Sequence, residues 1–388
     1  MRITNICLLA PVTDGWNYQD NLLPKYQKKN GHDVTIITSH WVWNQYGELA
    51  RDDREEYVNE DGIRILRIEM SGKDDFTKKI KKYPSLYESI EKTNPEFLFI
   101  HGLGFVDTSV IVKYLKAHPR VNANADNHAD FSNSATNWVS KNILHKLIWR
   151  HYAQKLVPYV RKFYGVLPAR VEFMADIYNI PEDKCDLLVM GADDELVEKF
   201  ELESNKSKAR LDLKLKSNDF LIVTGGKIDI AKSQTLLLME AVNRINVKNN
   251  KRNIKLLIFG PVSNELKDKF ESLLTNNIYH IDWADTEKSY LYLSISDLVI
   301  FPGRHSVYWE QAAGLGKPMI IKRWLGTNHI DMGGNVIYLE TDSADEIESN
   351  IEKLVNNKEK YKYMKNIAEK NSKKYFSYKN IAKRSIKI

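Results

Sequence analysis

An apolar run in the second half of the chain is followed by the glycine pair Gly225-Gly226 and by two lysines, Lys227 and Lys232. The run 220–224 has the composition of a buried strand, and open α/β sheets bind ligands at the carboxyl ends of their strands. Two ammonium groups at such a place could neutralise a diphosphate, or both lysines could be solvated loop residues. The residues alone leave these two interpretations open.

A second candidate site lies in the stretch 299–319, VIFPGRHSVYWEQAAGLGKPM. A short β-favourable run ends at Pro302-Gly303, a helix with Ser306 as its cap follows, and Gly316 marks its end. A strand that leads through a glycine turn into a helix directs unpaired N–H groups and the positive end of the helix dipole to one place. We expect a phosphate group to bind there.

The predicted helix also carries Glu310 and Gln311. A carboxylate or an amide behind a phosphate site could bind the hydroxyl groups of a ribose or of another sugar. Glu310 could instead be a surface residue of an ordinary helix, and the pattern does not separate the two.

Two polar segments in the first half of the chain, 14–19 and 126–130, each follow a predicted strand, where a binding site can form. In the segment 126–130, His128 could contact a sugar or a leaving group, although an isolated histidine is more often a structural hydrogen-bonding residue. The segment 14–19 carries Gly15 and the aromatic Trp16 and Tyr18. It has one glycine where a dinucleotide fingerprint has three, so it does not predict a dinucleotide site.

The stretch 138–164 predicts a long amphipathic helix with basic residues. Helices of this composition can lie on anionic membranes, but an ordinary packed helix has the same pattern, and we favour packing. The residues concerned are Trp138, Ile143, Leu144, Leu147, Ile148 and Leu156 among the apolar ones and Lys141, Lys146, Arg150, Lys155, Arg161 and Lys162 among the basic ones.

Three common catalytic motifs are absent from the sequence. Neither Gly226-Lys227 nor Gly316-Lys317 has the earlier glycine and the following hydroxyl residue of a P-loop, and no Ser-centred nucleophile elbow occurs. No two aspartates are separated by one residue, the commonest carboxylate motif for a divalent ion on a nucleotide diphosphate. We therefore expect no metal site, with lysines and helix ends neutralising the charge.

Apolar runs alternate with helical segments along the chain, and this alternation occurs twice, which predicts two doubly wound parallel α/β sheets. The segment 201–218 is highly charged, as expected of an exposed connector. We expect an N-terminal domain at 1–200, a second domain at 201–365 and a C-terminal helix at 366–388 that packs back on the first domain. Two such domains in tandem imply a cleft between them.

The composition limits the classes of function. A chain of 388 residues with 43% hydrophobic residues and no long apolar run predicts a folded protein that does not cross a membrane. Only Cys7 and Cys185 occur, each in apolar surroundings, which favours the cytoplasm and argues against a disulfide framework or a Cys-based metal site. The net charge of +6 suits a nucleic acid, an anionic membrane or an anionic substrate without choosing among them.

Taken in order over almost the whole chain, these features resemble the family 4 glycosyltransferases, which are retaining sugar transferases with the two-domain GT-B fold. The resemblance lies in Gly31-His32-Asp33-Val34, His128, Met190-Gly191-Ala192-Asp193, Gly226-Lys227 with Lys232, and Gly314-Leu315-Gly316-Lys317-Pro318. The family has arginine where this chain has Lys227. The order and spacing of the matches, rather than any one of them, are specific.

The sequence departs from the family pattern within 299–319. The family has two glutamates separated by seven residues, and counting back from Pro318 places Gly303 and Gln311 at those positions. A similar His-Ser-x-x-Trp-Glu-Gln segment, followed by His-x-Asp-x-Gly-Gly-Asn as at 329–335, occurs in a subset of bacterial polysaccharide transferases. This resemblance implies that Glu310 or Gln311 takes over the hydroxyl contacts.

The resemblance implies a metal-independent retaining glycosyltransferase without a cofactor. It would move a sugar from a nucleotide diphosphate donor to a glycan or lipid-linked acceptor in bacterial surface polysaccharide synthesis, in capsule or cell-envelope assembly. It would act in the cytoplasm or at the inner face of the cytoplasmic membrane, with peripheral contact to anionic lipid left open and no nucleic-acid partner. Two alternatives remain: a non-hydrolysing nucleotide-sugar epimerase of the same fold, and a non-catalytic glycan-binding or activating subunit.

The site residues expected from the resemblance fall into three groups. The catalytic residues are His128, Lys227, Lys232 and Glu310. The donor is expected to contact Gly226, Lys227, Lys232, Trp283, His305, Ser306, Glu310 and Gln311. The acceptor is expected to contact Gly15, Trp16, Tyr18, Gln19 and His128.

Overall fold

The computed structural model describes residues 1–44, 47–72, 81–248 and 253–387. The chain divides into two compact units, one built from 1–189 together with 378–388 and the other from 190–377. The division therefore falls before residue 200, and the segment that returns to the first unit begins at 378 instead of 366.

A parallel sheet forms the centre of the first unit. The described strands of this unit are β1 (Arg2–Cys7), β2 (Asp33–Ser39), β3 (Trp41–Trp43), β4 (Leu49–Arg51), β5 (Glu56–Val58), β6 (Arg64–Ile68), β7 (Phe97–His101), β8 (Asn122–Asn127), β9 (Lys162–Gly165) and β10 (Cys185–Leu187). The sheet has the order β10-β9-β8-β7-β1-β2-β6-β5, and only β5 joins it antiparallel. Strands β3 and β4 form a separate antiparallel ribbon.

Helices pack around this sheet. Every residue of β7 is buried, as expected of a central parallel strand that is covered on both faces, and four of its five residues are apolar. The described helices of this unit are Gln19–Lys29, Leu86–Thr93, Thr108–Ala117, the π-helix Ser140–Trp149, Arg150–Leu156, Pro168–Tyr178, the 3₁₀ turn Glu182–Lys184 and Tyr378–Ser385.

The C-terminal helix belongs to the first unit through specific contacts. Tyr378 stacks on Tyr26 with ring centroids 6.3 Å apart, and Gln27 Nε2 donates a hydrogen bond to Ser385 Oγ at 3.2 Å. Asn124 Nδ2 donates to the backbone oxygen of Ser385 at 2.8 Å. The last helix is thus held by both a neighbouring helix and a strand of the first unit.

The second unit has an entirely parallel sheet. Its described strands are β11 (Phe220–Gly225), β12 (Ile254–Phe259), β13 (Ile278–Ile281), β14 (Leu298–Phe301), β15 (Met319–Lys322) and β16 (Val336–Leu339), in the order β13-β12-β11-β14-β15-β16. The described helices are Asp194–Glu201, Glu203–Asp212, Ile230–Lys232, Gln234–Lys248, Asn264–Leu266, Lys267–Ser272, Thr286–Ile295, Tyr308–Gly314, Asn328–Ile330, Ala344–Asn356, Lys358–Ile367, the π-turn Ala368–Ser372 and Lys373–Tyr375. The prediction of two Rossmann-like parallel sheets is confirmed.

In both sheets the order of the strands reverses once. In the first unit β1 lies between β2 and β7, and in the second β11 lies between β12 and β14. Open α/β sheets bind ligands in the crevice at the carboxyl ends of the strands beside such a reversal. The residues that follow β1 and β7, and those that follow β11 and β14, are therefore in position to form sites.

The predicted single helix over 138–164 is wrong at its C-terminal end. The helical part stops at Leu156, and Lys162–Gly165 forms β9. Pro158 explains the stop, because proline has no N–H to donate to the helix. Within the described parts of the chain, no helix combines the length and apolar character needed to cross a membrane.

Candidate functional site

A pocket in the second unit lies at the carboxyl ends of β11 and β14, where the sheet reverses. The lining residues are Thr224, Gly225, Gly226, Lys227, Ile228, Lys232, Thr235, Ile258, Phe301, Pro302, Gly303, Arg304 and Ser306. The structure therefore brings the lysine segment after β11 together with the turn after β14, which are far apart in the sequence.

Gly226 forms a turn that favours glycine. Its φ is +106°, and its N–H donates to the Phe259 oxygen at 2.8 Å. Gly260 packs so closely that a Cβ added to it would lie 2.3 Å from the Gly226 oxygen. The absence of side chains at these two positions lets a ligand approach the backbone at the floor of the pocket.

Lys227 and Lys232 both line this pocket. A Cβ on Gly226 would lie 3.4 Å from Lys232 Nζ, so the ammonium group sits over the glycine turn. Burial lowers the pKa of Lys232, and the carboxylate of Asp229 acts in the opposite direction. Lys227 is more exposed, with its Nζ 3.9 Å from Asp229 Oδ2. Two neighbouring ammonium groups, one of them partly desolvated, attract an anion strongly.

Arg304 supplies a third cationic side chain to the pocket, and it was missed by sequence reasoning. It follows Gly303, where an added Cβ would lie 3.4 Å from the Cα of Lys232. Trp324 Nε1 donates to the Gly303 oxygen at 3.1 Å, which fixes this turn. The available signal was an arginine placed directly after the Pro302-Gly303 turn of the predicted phosphate site.

The helix after this turn is shorter than expected, and the prediction that Ser306 caps it is wrong. The helix spans Tyr308–Gly314, is preceded by Val307 and has no side-chain cap. Ser306 contributes its backbone oxygen instead, which accepts from the Trp309 N–H at 2.9 Å. Because a helix of seven residues has a small dipole, attraction for an anion rests mainly on the cationic side chains.

Glu310 lies on the inner side of this helix with its side chain fully buried. Its Oε1 accepts hydrogen bonds from His305 Nε2 at 2.8 Å and from His329 Nε2 at 2.9 Å. His329 is buried, whereas His305 keeps 17% of its side chain exposed. Burial by itself raises the pKa of Glu310, but the two imidazoles outweigh burial and lower the pKa to about 2. The carboxylate is therefore ionised at neutral pH.

The loop that carries His329 is closed by its own polar residues. Asp331 Oδ1 accepts from the Gly334 N–H at 2.7 Å, and the buried Asn335 donates to the Ile330 oxygen at 3.1 Å. The His-x-Asp-x-Gly-Gly-Asn segment thus forms a compact loop that positions the histidine against the buried carboxylate.

Several buried polar atoms around this carboxylate have no hydrogen-bond partner in the described part of the chain. They are Trp309 Nε1, Glu310 Oε2, Gln311 Oε1 and His329 Nδ1. Unpaired buried polar atoms are uncommon in folded proteins and are typical of places where water or a ligand binds. Four residues predicted to contact the donor are outside the pocket lining: His305, Glu310 and Gln311, which follow β14, and Trp283, which is exposed after β13. Their donor contacts stay predictions.

A second polar cluster, in the first unit, surrounds the buried Asp126 of β8. Its Oδ1 accepts from the Gly102 N–H at 2.9 Å, and its Oδ2 accepts from Gln19 Nε2 at 3.1 Å. His101 Nδ1 and His128 Nε2 lie 3.1 Å and 3.4 Å from the same Oδ2. The structure thus places the predicted Gln19 and His128 around one carboxylate.

Asp126 and His101 form a buried pair of opposite charges. Burial by itself lowers the pKa of His101, but Cys7, Asp126 and Asp20 hold it well above its usual value. Burial likewise raises the pKa of Asp126, but His101 and His128 hold it well below its usual range. His128, with 39% of its side chain exposed, is the member of the cluster that reaches solvent.

Cys7 does not lie in apolar surroundings, contrary to expectation. Ligand atoms of Cys7, Asp20 and His101 lie within 4.8 Å of one another, as do those of the His305, Glu310 and His329 cluster. Both sets have donor types that bind transition metals. Burial raises the pKa of the Cys7 thiol to about 12.

Gly15, Trp16 and Tyr18 form the turn before the helix Gln19–Lys29. Gly15 has a φ of +74°, and the rings of Trp16 and Tyr18 lie 5.4 Å apart. Tyr18 is exposed, and the next residue, Gln19, contacts the Asp126 cluster. The turn is therefore adjacent to that cluster along the chain, and its contact with an acceptor stays a prediction.

Comparison with known proteins finds a family match within the second unit. Residues 205–371 match the family described as glycosyl transferases group 1. A search of curated proteins finds no match to the chain.

Solved structures resemble the chain over nearly its whole length. A glycosyltransferase from Rickettsia africae ESF-5 has 16% identity and a TM-score of 0.69, over 98% of this chain and 96% of that one. The Anabaena protein Alr3699/HepE in complex with UDP-glucose has 13% identity and a TM-score of 0.65, over 99% and 97%. The UDP-GlcNAc 2-epimerase from Neisseria meningitidis bound to UDP-GlcNAc has 14% identity and a TM-score of 0.60, over 99% and 98%.

At these identities the structural likeness establishes the fold, and the chain has the GT-B fold. The family match covers the second unit, including the pocket at β11 and β14. The fold and the match together support a GT-B glycosyltransferase, and the narrower assignment to family 4 stays a prediction.

Proposed function

We propose that the protein is a retaining glycosyltransferase of family 4 that moves a sugar from a nucleotide diphosphate donor to a glycan or lipid-linked acceptor. Its proposed setting is bacterial surface polysaccharide synthesis, in the cytoplasm or at the inner face of the cytoplasmic membrane. The observation that carries the proposal is the pocket where a glycine turn, Lys227, Lys232 and Arg304 meet. This pocket lies within the segment that matches the group 1 glycosyltransferases.

The pocket is suited to the departing diphosphate. When the bond between sugar and diphosphate breaks, negative charge develops on the leaving group, and fixed cations lower the energy of that state. The lysines and Arg304 supply the cations, and Gly226 lets a phosphate approach the backbone. No lining residue is a carboxylate. We therefore propose that the charge is neutralised by side chains and that transfer does not need a metal ion.

Glu310 is proposed to act through His305 rather than by direct contact with the donor. Its Oε1 is occupied by two imidazoles inside the unit, and the carboxylate is ionised. Since Nε2 of His305 is bound to Glu310, Nδ1 is the ring atom that remains for a sugar hydroxyl or a phosphate oxygen. Glu310 and His329 are then positioning residues for His305.

His128 is proposed to contact the transferred sugar or the attacking acceptor hydroxyl. It is the exposed end of a cluster in which its Nε2 lies 3.4 Å from Asp126 Oδ2, a distance at which a protonated imidazole is attracted to the carboxylate. Gln19 contacts the same carboxylate, which supports an acceptor site formed by His128 and the turn at 15–19.

A nucleotide-sugar epimerase is the second candidate, because a UDP-GlcNAc 2-epimerase has the same fold over 99% of this chain. An epimerase would change the nucleotide sugar without any acceptor. A non-catalytic subunit, the third alternative, would bind glycan or a partner without turning over a donor. The family match favours transfer over both.

The experiment that separates these functions begins with a thermal-shift screen of UDP-, GDP- and ADP-sugars, since a ligand of the folded state raises the melting temperature. The stabilising nucleotide sugar is then followed by ¹H NMR without acceptor. Slow donor hydrolysis whose first sugar product keeps the donor's anomeric configuration supports a retaining transferase. Appearance of an epimeric nucleotide sugar supports the epimerase, and failure of every nucleotide diphosphate to stabilise the protein contradicts the proposal.

A further inference from the structure

An exposed apolar face in the first unit has no role in the proposed transfer chemistry. The π-helix Ser140–Trp149 and the two residues before it expose six large apolar side chains, Trp138, Val139, Ile143, Leu144, Leu147 and Ile148. Trp138 is 70% exposed and Leu147 is 64% exposed. A contiguous apolar patch of this size on a folded unit is typical of an interaction surface.

The π-helical geometry gathers these side chains on one side. The N–H of Arg150 bonds to the His145 oxygen, five residues earlier, so a turn takes about 4.4 residues. At that pitch positions 143 and 147 lie in one row and positions 144 and 148 in the adjacent row, while Trp138 and Val139 stand just before the π-helix. At the 3.6 residues of an α-helix the same positions would spread around most of the helix.

The opposite side of this helix is already packed. His145 is buried, with Nε2 3.1 Å from Ser134 Oγ and Nδ1 2.9 Å from the Tyr178 hydroxyl. Trp149 is also buried, one turn further along. Because the inner side is fixed by these contacts, the apolar residues on the outer side face away from the core of their unit.

Positive charge accompanies the apolar face. The stretch 131–171 contains no aspartate or glutamate, and its lysine and arginine residues are Lys141, Lys146, Arg150, Lys155, Arg161, Lys162 and Arg170. Lys141, Lys146 and Arg150 are half-buried along the same helical stretch, and Lys141 Nζ lies 4.8 Å from the centroid of the Phe131 ring. Apolar side chains flanked by cations complement a surface that is apolar inside and anionic outside.

We propose that this face, Trp138 to Ile148, binds the surface of an anionic lipid membrane. Tryptophan is favoured at the membrane interface, and each nearby lysine or arginine adds attraction to anionic headgroups. A second copy of the chain fits less well, because two such faces would bring the same positive charges together with no carboxylate of the 131–171 stretch to pair them.

Membrane binding at this face would also affect the position of the proposed acceptor site. The loop between His128 and the helix is held at both ends, since Asn133 Nδ2 donates to the His128 oxygen at 2.8 Å and Ser134 contacts His145. Membrane binding at the helix therefore holds His128 near the lipid surface, where a lipid-linked acceptor would lie. The binding itself does not depend on the proposed transfer reaction.

The test is co-sedimentation of the full chain with vesicles of phosphatidylcholine alone and of phosphatidylcholine with 30% phosphatidylglycerol. The double variant Trp138→Glu/Leu147→Glu removes the apolar contact, and Lys146→Ala/Arg150→Ala removes two charges. Leu211→Glu is the matched control, because Leu211 is an equally exposed leucine on the helix Glu203–Asp212. Melting temperatures show whether each variant is folded. We expect all of them to fold, because only exposed or half-buried side chains are changed.

We expect the protein and Leu211→Glu to sediment with the anionic vesicles and only weakly with neutral ones. Trp138→Glu/Leu147→Glu should lose binding, and Lys146→Ala/Arg150→Ala should bind the anionic vesicles at least about tenfold more weakly. Absence of vesicle binding by the unchanged protein, or equal binding by the apolar double variant, would overturn the proposal. So would a concentration-dependent dimer that Trp138→Glu/Leu147→Glu dissociates, because the face would then join two copies of the chain.

Discussion

Glu310 Oε1 accepts a hydrogen bond from His329 Nε2 at 2.9 Å, which ties the helix Tyr308–Gly314 to the loop that follows β15. The same oxygen accepts from His305, the partly exposed member of the cluster. A fully buried carboxylate with two imidazole partners is fixed in place and ionised. Glu310 is therefore better placed to orient His305 than to bind a hydroxyl group itself.

Glu310→Gln should destabilise the protein at pH 7 and much less at pH 3. The pKa of Glu310 is lowered from 4.5 to about 2 on folding, so its stabilisation is present above about pH 4.5 and is lost as the pH falls toward the folded pKa. At pH 7 the loss is on the order of 3 kcal/mol. Denaturant unfolding at pH 7, 5 and 3 measures it, with the exposed Glu359→Gln as control. A difference from the unchanged protein that is constant with pH would contradict the assignment.

Asp126→Asn and His128→Ala should each lower the rate of transfer, and the double variant should be no slower than His128→Ala alone. This follows if Asp126 acts only by fixing the ring of His128, because the two residues then share one effect. Each loss should be about tenfold or more in kcat, with little change in KM for the donor. Independent, multiplicative losses would show that Asp126 acts by another route.

Gly226→Ala should weaken donor binding, whereas Gly31→Ala should leave it unchanged. Both glycines have a positive φ, +106° and +90°, so both substitutions cost about 1 to 2 kcal/mol of stability. A Cβ added at Gly226 would enter the pocket and lie 3.4 Å from Lys232 Nζ. A Cβ added at Gly31 would have no other heavy atom within 4 Å. Calorimetric titration with the nucleoside diphosphate of the donor distinguishes the two. Equal affinity in both variants would place the diphosphate elsewhere.

Transfer should persist at its full rate after dialysis against EDTA. Three cationic side chains line the pocket and no carboxylate does, so no bridging ion is required to hold the diphosphate. The rate is measured in EDTA and after addition of Mg²⁺, Mn²⁺ or Zn²⁺. Loss of activity in EDTA that one of these ions restores would contradict metal independence and would direct attention to the cluster of His305, Glu310 and His329.

The sequence predicted both sheets because a parallel strand covered on both faces must be apolar throughout, and such runs stand out between helical segments. Lys227, Lys232 and Ser306 were singled out because they lie in segments that follow strands, and the structure brings these segments together in one pocket. His101 ends β7 and Asp126 lies within β8, so from the sequence both have the appearance of core residues. Their pairing depends on the topology, which brings β1, β7 and β8 together.

The helix after His128 was misjudged for a different reason. The apolar and basic residues over 138–164 predict an amphipathic helix, but they do not indicate a π-helical pitch or show which of the apolar residues are exposed. The π-helical pitch aligns them and leaves them exposed, so the preference for ordinary packing is wrong for Trp138, Ile143 and Leu147. A change of pitch within a helix depends on packing against residues such as Tyr178, which local sequence does not contain.

The affinity of Lys227→Ala/Lys232→Ala for the nucleoside diphosphate of the donor tests the central claim most directly. Each charge-assisted contact contributes about 1.5 to 3 kcal/mol, so the double variant should bind at least about a hundredfold more weakly and should transfer sugar correspondingly slowly. Lys267→Ala, an exposed lysine outside the pocket, is the matched control and should match the unchanged protein. Undiminished diphosphate binding and transfer by Lys227→Ala/Lys232→Ala would contradict the account.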